Sequence, residues 1–246
     1  MCNIPTHKYT VKPIIALFQD DRNKAAIAMS DGFLHILSPH YNIKIFQKEQ
    51  CKAETFSGVD MLIFPGGAVG GADDYFHMFP RKRANAVAEF VANGGAYLGV
   101  CVGAYWAGPD YFDILKGAEP VQYIKRPTAD IMRSCNIAAH CVWKGEEEQI
   151  FFRDGCTFVG DLSHSEIVST FFNKEPMCIT QGKIGVMGAC LDSLEWWYDN
   201  KTLKKYWHGG RHHKLLLDFV EELVNKKSTP QGALKQPGSG CETLWF

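Results

Sequence analysis

The stretch Asn93-Gly-Gly-Ala-Tyr-Leu-Gly-Val-Cys101-Val-Gly-Ala-Tyr105 decides the fold. Its opening Asn-Gly-Gly closes a helix, because glycine and asparagine accept the left-handed backbone of a helical C-terminus. Residues 96–100 are apolar and read as a strand, and small residues run on through Gly108. Cys101 therefore stands at a strand-to-helix turn between Gly99 and Gly103. A turn this tight strains the residue at its apex and leaves no room for a Cβ on either side. The helix that follows directs backbone N–H groups and its positive dipole end at the thiol, which favours the thiolate. A thiolate so held can attack a carbonyl or amide carbon and form a thioester. The N–H of Val102 would be one oxyanion donor. A Gly-x-Cys-x-Gly segment alone describes a buried thiol in a glycine turn equally well.

Upstream, residues 81–93 carry Ala84, Val87, Ala88, Phe90 and Val91 as the apolar stripe of a helix, and residues 61–64 form a strand. That strand ends in Pro65-Gly66-Gly67-Ala68. Neighbouring parallel strands bring their C-terminal ends together, so Gly67 and Ala68 are expected to supply the second oxyanion donor beside Cys101. The glycine loop has neither a GK[ST] nor a GxGxxG order, so a phosphate cradle is not favoured. Residues 42–46 and 12–18 read as strands, and residues 23–37 as a helix. Near-continuous apolar strands alternating with helices describe a parallel sheet covered on both faces.

Downstream, residues 111–172 offer short strands and no clear helix, a β-rich excursion. Glu146-Glu-Glu148 reads as a solvated acidic loop. Residues 184–187 form a buried strand leading to Gly188-Ala-Cys190, and residues 214–227 form a final amphipathic helix. The tail at 228–246, rich in Pro, Gly and Ser, is expected to be flexible, leaving one domain over 1–227.

Lys and Arg number 26 against 27 Asp and Glu, which favours no nucleic-acid partner. No apolar run approaches the ~20 residues that span a bilayer, and no secretory signal is visible. The nine cysteines include no CxxC pair, which argues against a zinc ribbon and for a reducing, cytoplasmic setting. Neither a metal nor a cofactor is expected.

Leu62-Ile-Phe-Pro-Gly-Gly67 and the Cys101 stretch together resemble the class I glutamine amidotransferase superfamily, and most closely the N-terminal domain of biotin–protein ligases, whose corresponding segment reads near GGxYLGxCAGAY. The resemblance implies a flavodoxin-like three-layer α/β sandwich, with a mostly parallel central sheet and the β-rich insertion in its second half. It implies a Cys–His–Glu triad that hydrolyses the glutamine side-chain amide. Carried over, Cys101 takes the nucleophile position. A His-Pro-Glu should follow the late strand, but Cys190 stands in place of the base and Asp192 in place of its orienting acid. A neutral thiol cannot take the proton as imidazole does, a role worth ~10²–10⁴ in rate. Ordinary glutaminase activity is therefore not expected. A non-catalytic ligand-binding or regulatory module, or a hydrolase with an atypical base, are the alternatives. No GRGRxG-type loop is present, so biotinylation by this chain is not expected.

Several residues stay open between two roles. Asp20 and Asp21 follow the first strand and either line the Cys101 pocket with Gly66 and Tyr105 or cap the next helix. Asp73 and Asp74 line the pocket mouth or form a polar loop. Trp196, in Glu195-Trp-Trp-Tyr198, offers a stacking wall or packs in the core. His164 and His140 are alternative bases. His208, His212 and His213 read as a solvated helix start rather than a metal site. The Cys101 and Cys190 thiols, if they share a pocket, could close a disulfide or hold a soft metal. The expected partner is a small molecule in the Cys101 pocket, with a protein partner left open and no membrane.

Overall fold

A computed structural model describes residues 12–22, 24–67 and 70–226 of the chain. Ala68 and the tail at 228–246 lie outside the described residues. The first half alternates as expected: β1 (Ile14–Phe18), α1 (Lys24–Leu37), β2 (Asn42–Phe46), β3 (Met61–Phe64), the single turn α2 (Tyr75–Met78), α3 (Arg81–Ala92), β4 (Ala96–Val100) and α4 (Val102–Trp106). The second half holds β5 (Ala118–Gln122), β6 (Ile137–Trp143), β7 (Glu146–Phe152), β8 (Cys156–Gly160), β9 (Glu166–Phe171), β10 (Pro176–Gln181), β11 (Ile184–Met187) and α5 (Arg211–Asn225).

Nine strands form one sheet in the order β2-β1-β3-β4-β11-β10-β9-β6-β7. The first five are parallel, the doubly wound arrangement, and the insertion extends the sheet with antiparallel strands. β5 and β8 pair separately. Strand pleating divides the apolar residues between two faces. Ile15, Leu17, Ile63, Leu98 and Val100 pack on one side with Phe33 and Leu37 of α1 and Leu216, Phe219 and Leu223 of α5. Ala16, Phe18, Leu62, Phe64 and Tyr97 face the other side with Val87 of α3 and Trp106 of α4. A one-residue slip in any central strand would exchange the two sets, so burial on both faces fixes the register.

Two expectations are corrected. Glu146-Glu-Glu148 is not a solvated loop but the start of β7, paired against β6 with Cys141 opposite Glu148. Glu148 is 9% exposed and accepts a hydrogen bond from Arg211 at 2.7 Å, whereas Glu146 and Glu147 are exposed. The final helix begins at Arg211 rather than 214, because Gly210 takes a left-handed φ of 78° just before it and His212 turns inward.

Parallel register places Gly99 opposite Phe64 and Val100 opposite Met187, so β3, β4 and β11 end side by side. The turn after β4 sits directly on β3. A Cβ on Gly103 would lie 1.9 Å from the carbonyl oxygen of Phe64, and one on Gly99 2.3 Å from that of Gly103. Gly103→Ala is therefore expected to cost about 3 kcal/mol or more in urea unfolding, since backbone must move to admit the methyl group. Gly58→Ala, where φ is +69° but no atom lies within 4 Å, is expected to cost only about 1 kcal/mol. Equal costs at the two sites would contradict this.

Candidate functional site

β4 runs into Cys101, whose φ of 52° and ψ of −108° lie in sparsely populated space. Such a residue costs of order 1–3 kcal/mol and persists only where its surroundings hold it. Three bonds hold this turn. The Cys101 N–H donates to the Met187 carbonyl at 2.9 Å, the Ala104 N–H donates to the Cys101 carbonyl at 3.0 Å, and the buried Tyr97 hydroxyl donates to the Gly103 carbonyl at 2.7 Å. α4 has only five residues, so the dipole argument carries less than the first N–H groups themselves.

Cys101 lines a cleft of about 880 Å³ at the C-terminal ends of the parallel strands. Gly66 and Gly67 come to it from the loop after β3, Ala28 and Met29 from α1, Val102 and Tyr105 from α4, and Cys190 from the end of β11. Gly67 holds a left-handed φ of 85°, and a Cβ there would strike Met29 at 2.4 Å. Trp196 lines the cleft and is 58% exposed, whereas Trp197 also reaches it but is buried and Tyr198 belongs to the core. The run is thus split, Trp196 standing at the cleft and Trp197 and Tyr198 packed inside.

Sequence reasoning missed the wall contributed by the insertion: Gln122, Asn136, Phe151, Arg153 and Asp154. The Asp154-Gly155 turn was the available signal, but which end of the sheet it reaches depends on long-range pairing. A Cβ on Gly155 would lie 1.8 Å from the Gly188 carbonyl, so this turn is pressed against the end of β11.

Asp20 and Asp21 do not line the cleft. Asp20 instead accepts a bidentate pair from Arg22, at 2.8 and 2.6 Å. Arg22 also donates to Asp74 at 2.8 Å, and Asp74 accepts the Gly70 N–H at 2.6 Å. The acids expected at the pocket thus tie the loop after β1 to the glycine loop after β3. His164 is exposed and His140 stacks on Phe172. Among the described residues no histidine lines the cleft, and no group of three or more His, Cys, Asp or Glu is arranged to hold a metal.

The two cleft thiols differ. The Cys190 thiol pulls Cys101 below the ordinary thiol value, burial works the other way, and the Val102 N–H adds to the lowering. Cys190 is pushed well above that value, by Cys101 and by burial. Of the two, Cys101 is the thiol that gives up its proton more readily. Burial drives Cys51 and Cys141 up to about 12, and Cys156 and Cys178 well above the ordinary value. Cys101 is set apart from these four.

Beneath the cleft lies a buried polar layer. Asp192 is 1% exposed, neither carboxyl oxygen has a hydrogen-bond partner among the described residues, and burial pushes it up to about 7. It neither faces the cleft nor orients Cys190, which corrects its expected part in a triad: without a partner or contact with water, its anion is poorly stabilised. The Ser193 carbonyl accepts from Nε2 of both His212 and His213 at 2.9 Å, and the Ser193 hydroxyl meets the Tyr198 hydroxyl at 3.0 Å. A carbonyl only accepts, so Nε2 of His212 carries the proton and Nδ1 is left bare and unpartnered. The expected solvated histidine cluster is thus half wrong, because His212 is 2% exposed and His213 half-buried while His208 is exposed.

These buried groups titrate in opposition. Burial lowers His212 from 6.5 to about 4, so the unfolded chain holds the extra proton in that window and stability falls as pH drops through it. Asp192 is raised from 3.8 to about 7, so the folded chain holds the extra proton and stability falls as pH rises. Between about pH 4 and 6.5 the two slopes offset each other. Relative to the parent, Asp192→Asn is expected to gain stability with rising pH there, by up to about 1.4 kcal/mol per unit, and His212→Gln to lose it. Urea midpoints across that window check this, and parallel profiles for parent and variants would contradict it.

The comparisons agree with this architecture. Residues 23–114 match the family model "Biotin-protein ligase, N terminal". A solved glutamine amidotransferase shares 16% identity over 85% of this chain and 98% of its own, at a TM-score of 0.56. A glutamine amidotransferase from Thermotoga maritima gives 12% identity over 89% and 100%, at 0.60. PurLQS from the same organism gives 13% over 87% and 100%, at 0.62. No curated protein matches the chain by sequence. Identities this low speak to the fold alone. The chain thus carries a class I glutamine amidotransferase-like fold, with the biotin–protein ligase N-terminal family signature over residues 23–114.

Proposed function

We propose that this protein is an amidotransferase-like module that binds a small molecule in the Cys101 cleft and presents Cys101 to it as a nucleophilic thiolate, without acting as an ordinary glutaminase. One observation carries the reading. The strained turn exposes a thiol whose proton is disfavoured, and a second thiol stands by it at the end of β11, where the resemblance implies a general base.

The volume of about 880 Å³ lies within the range of small-molecule sites. Phe151, Met29 and the two tryptophans supply apolar walls, and Arg153, Asn136, Gln122 and Asp199 supply polar groups. Such a lining suits a compact ligand with an apolar body and a polar end. The Val102 N–H, with the Gly67 turn beside it, supports charge developing on an oxygen next to Cys101. A thiolate can therefore add to an electrophilic carbon in this cleft. The leaving amine of glutamine, however, needs a proton that a histidine would deliver, and Cys190 holds its proton too firmly to cycle it near neutral pH. On this reading the resemblance extends to the binding cleft and the attacking atom but not to turnover of glutamine.

Peptide-resolved alkylation with iodoacetamide across pH tests the thiolate. Cys101 is expected to react ahead of the other thiols, with a midpoint below the ordinary ~8.5. Ammonia release from glutamine is expected at the background level, unchanged by Cys101→Ser. A Cys101 that reacts only above the ordinary value would overturn the thiolate, and Cys101-dependent ammonia release would overturn the loss of glutaminase activity.

A further inference from the structure

We propose that Cys101 and Cys190 form a hydroperoxide-responsive dithiol, in which oxidation of Cys101 is resolved by Cys190 to a disulfide joining the ends of β4 and β11. This rests on the reading of Cys101 as a reactive thiolate and adds a second, separable claim about its neighbour.

The geometry is the starting point. Cys101 directly follows Val100, which is paired in register with Met187, and Cys190 lies three residues past Met187. Both side chains line the same cleft. Both are also tied to the end of β7: the Cys190 N–H donates to the Phe151 carbonyl at 2.8 Å, and the Cys101 thiol sulfur lies 3.7 Å from the Arg153 carbonyl. The contact runs from thiol to thiol, since a hydrogen bond from the Cys190 side chain is the largest influence on the Cys101 thiol, and a disulfide between them requires Cα atoms within roughly 4.4–6.8 Å. The two thiols perturb one another's protonation in opposite directions, as expected for sulfurs in contact.

Their division of labour follows from their settings. Cys101 is partly exposed to the cleft and Cys190 is 4% exposed, so a dissolved oxidant reaches Cys101 first. Its thiolate attacks one peroxide oxygen: the S–O bond forms, the O–O bond breaks, and the departing alkoxide or hydroxide leaves as alcohol or water after taking up the proton that Cys101 had released. Cys101 is then a sulfenic acid. The Cys190 sulfur attacks the Cys101 sulfur, the S–S bond forms, the S–O bond breaks, and hydroxide departs with the Cys190 proton as water. Two thiols lose two electrons and the hydroperoxide gains them. Placing Cys190 against the sulfenic acid also competes with further, irreversible oxidation. In the disulfide Cys101 no longer offers a nucleophile, and a dithiol reductant restores it.

The test treats the full chain with hydrogen peroxide at small molar excess, blocks remaining thiols with iodoacetamide and maps peptides without reduction. The expected product is a linked pair of Cys101 and Cys190 peptides, abolished by dithiothreitol and retained in Cys156→Ala. In Cys190→Ala the link disappears and dimedone captures a Cys101 sulfenic acid instead. In the parent, a Cys101 carried on to sulfinic acid with Cys190 free, or linked to Cys156, would overturn the dithiol. Cys101 that alkylates readily but never links sinks this inference alone, whereas Cys101 inert to both reagents sinks the thiolate reading beneath it.

Discussion

Main-chain atoms of the turn after β4 are packed so closely, Gly103 against the carbonyl of Phe64 and Gly99 against the carbonyl of Gly103, that neither glycine can carry a side chain. That contact sets the geometry of the cleft. It holds α4 against β3, drives Cys101 into a backbone conformation that ordinary residues avoid, and turns the sulfur outward over the strand ends. The Met187 carbonyl and the Tyr97 hydroxyl lock the turn from the β11 side and from within the core. A strain of order 1–3 kcal/mol is stable here because the two apolar layers over-determine the strands that feed it.

What the cleft can do is decided by what stands around the sulfur. A thiol beside Cys101 differs in kind from an imidazole there: a neutral imidazole accepts a proton near pH 7, whereas Cys190 is pushed well above the ordinary thiol value and holds its proton. The result favours a stable thiolate over a nucleophile paired with a proton shuttle. Asp192 fits the same picture. With no partner among the described residues for either oxygen and burial raising it to about 7, it is a poor anion and an inefficient orienter. The buried histidines a little further along are engaged with the Ser193 carbonyl and serve the packing of α5 rather than the cleft.

The parallel half of the fold was legible because its signals are local. Residues 61–64 and 96–100 announce themselves by apolar continuity and by the glycines that bound them, and Gly99 and Gly103 declared the close approach. Cys190 was singled out through the spacing of the resemblance, and it lines the same cleft as Cys101. The remainder depended on pairings distant in sequence. Glu148 looked solvated because its burial comes from Arg211, 63 residues away. Arg153 and Asp154 enter the cleft only because β7 closes the far edge of the sheet and returns its end to β11. Asp20 looked like a pocket acid because its position after β1 is right; its side chain is occupied by Arg22, a local partner whose bidentate geometry a one-dimensional reading does not weigh.

The central claim is that Cys101 is a thiolate under conditions where ordinary thiols are protonated. Its ionisation can be followed directly as the thiolate absorbance in the far ultraviolet, taken as the difference between the parent and Cys101→Ser during a pH titration. The account predicts a single step below the ordinary ~8.5 that moves upward in Cys190→Ala. A step at or above the ordinary value, indifferent to Cys190, would contradict it.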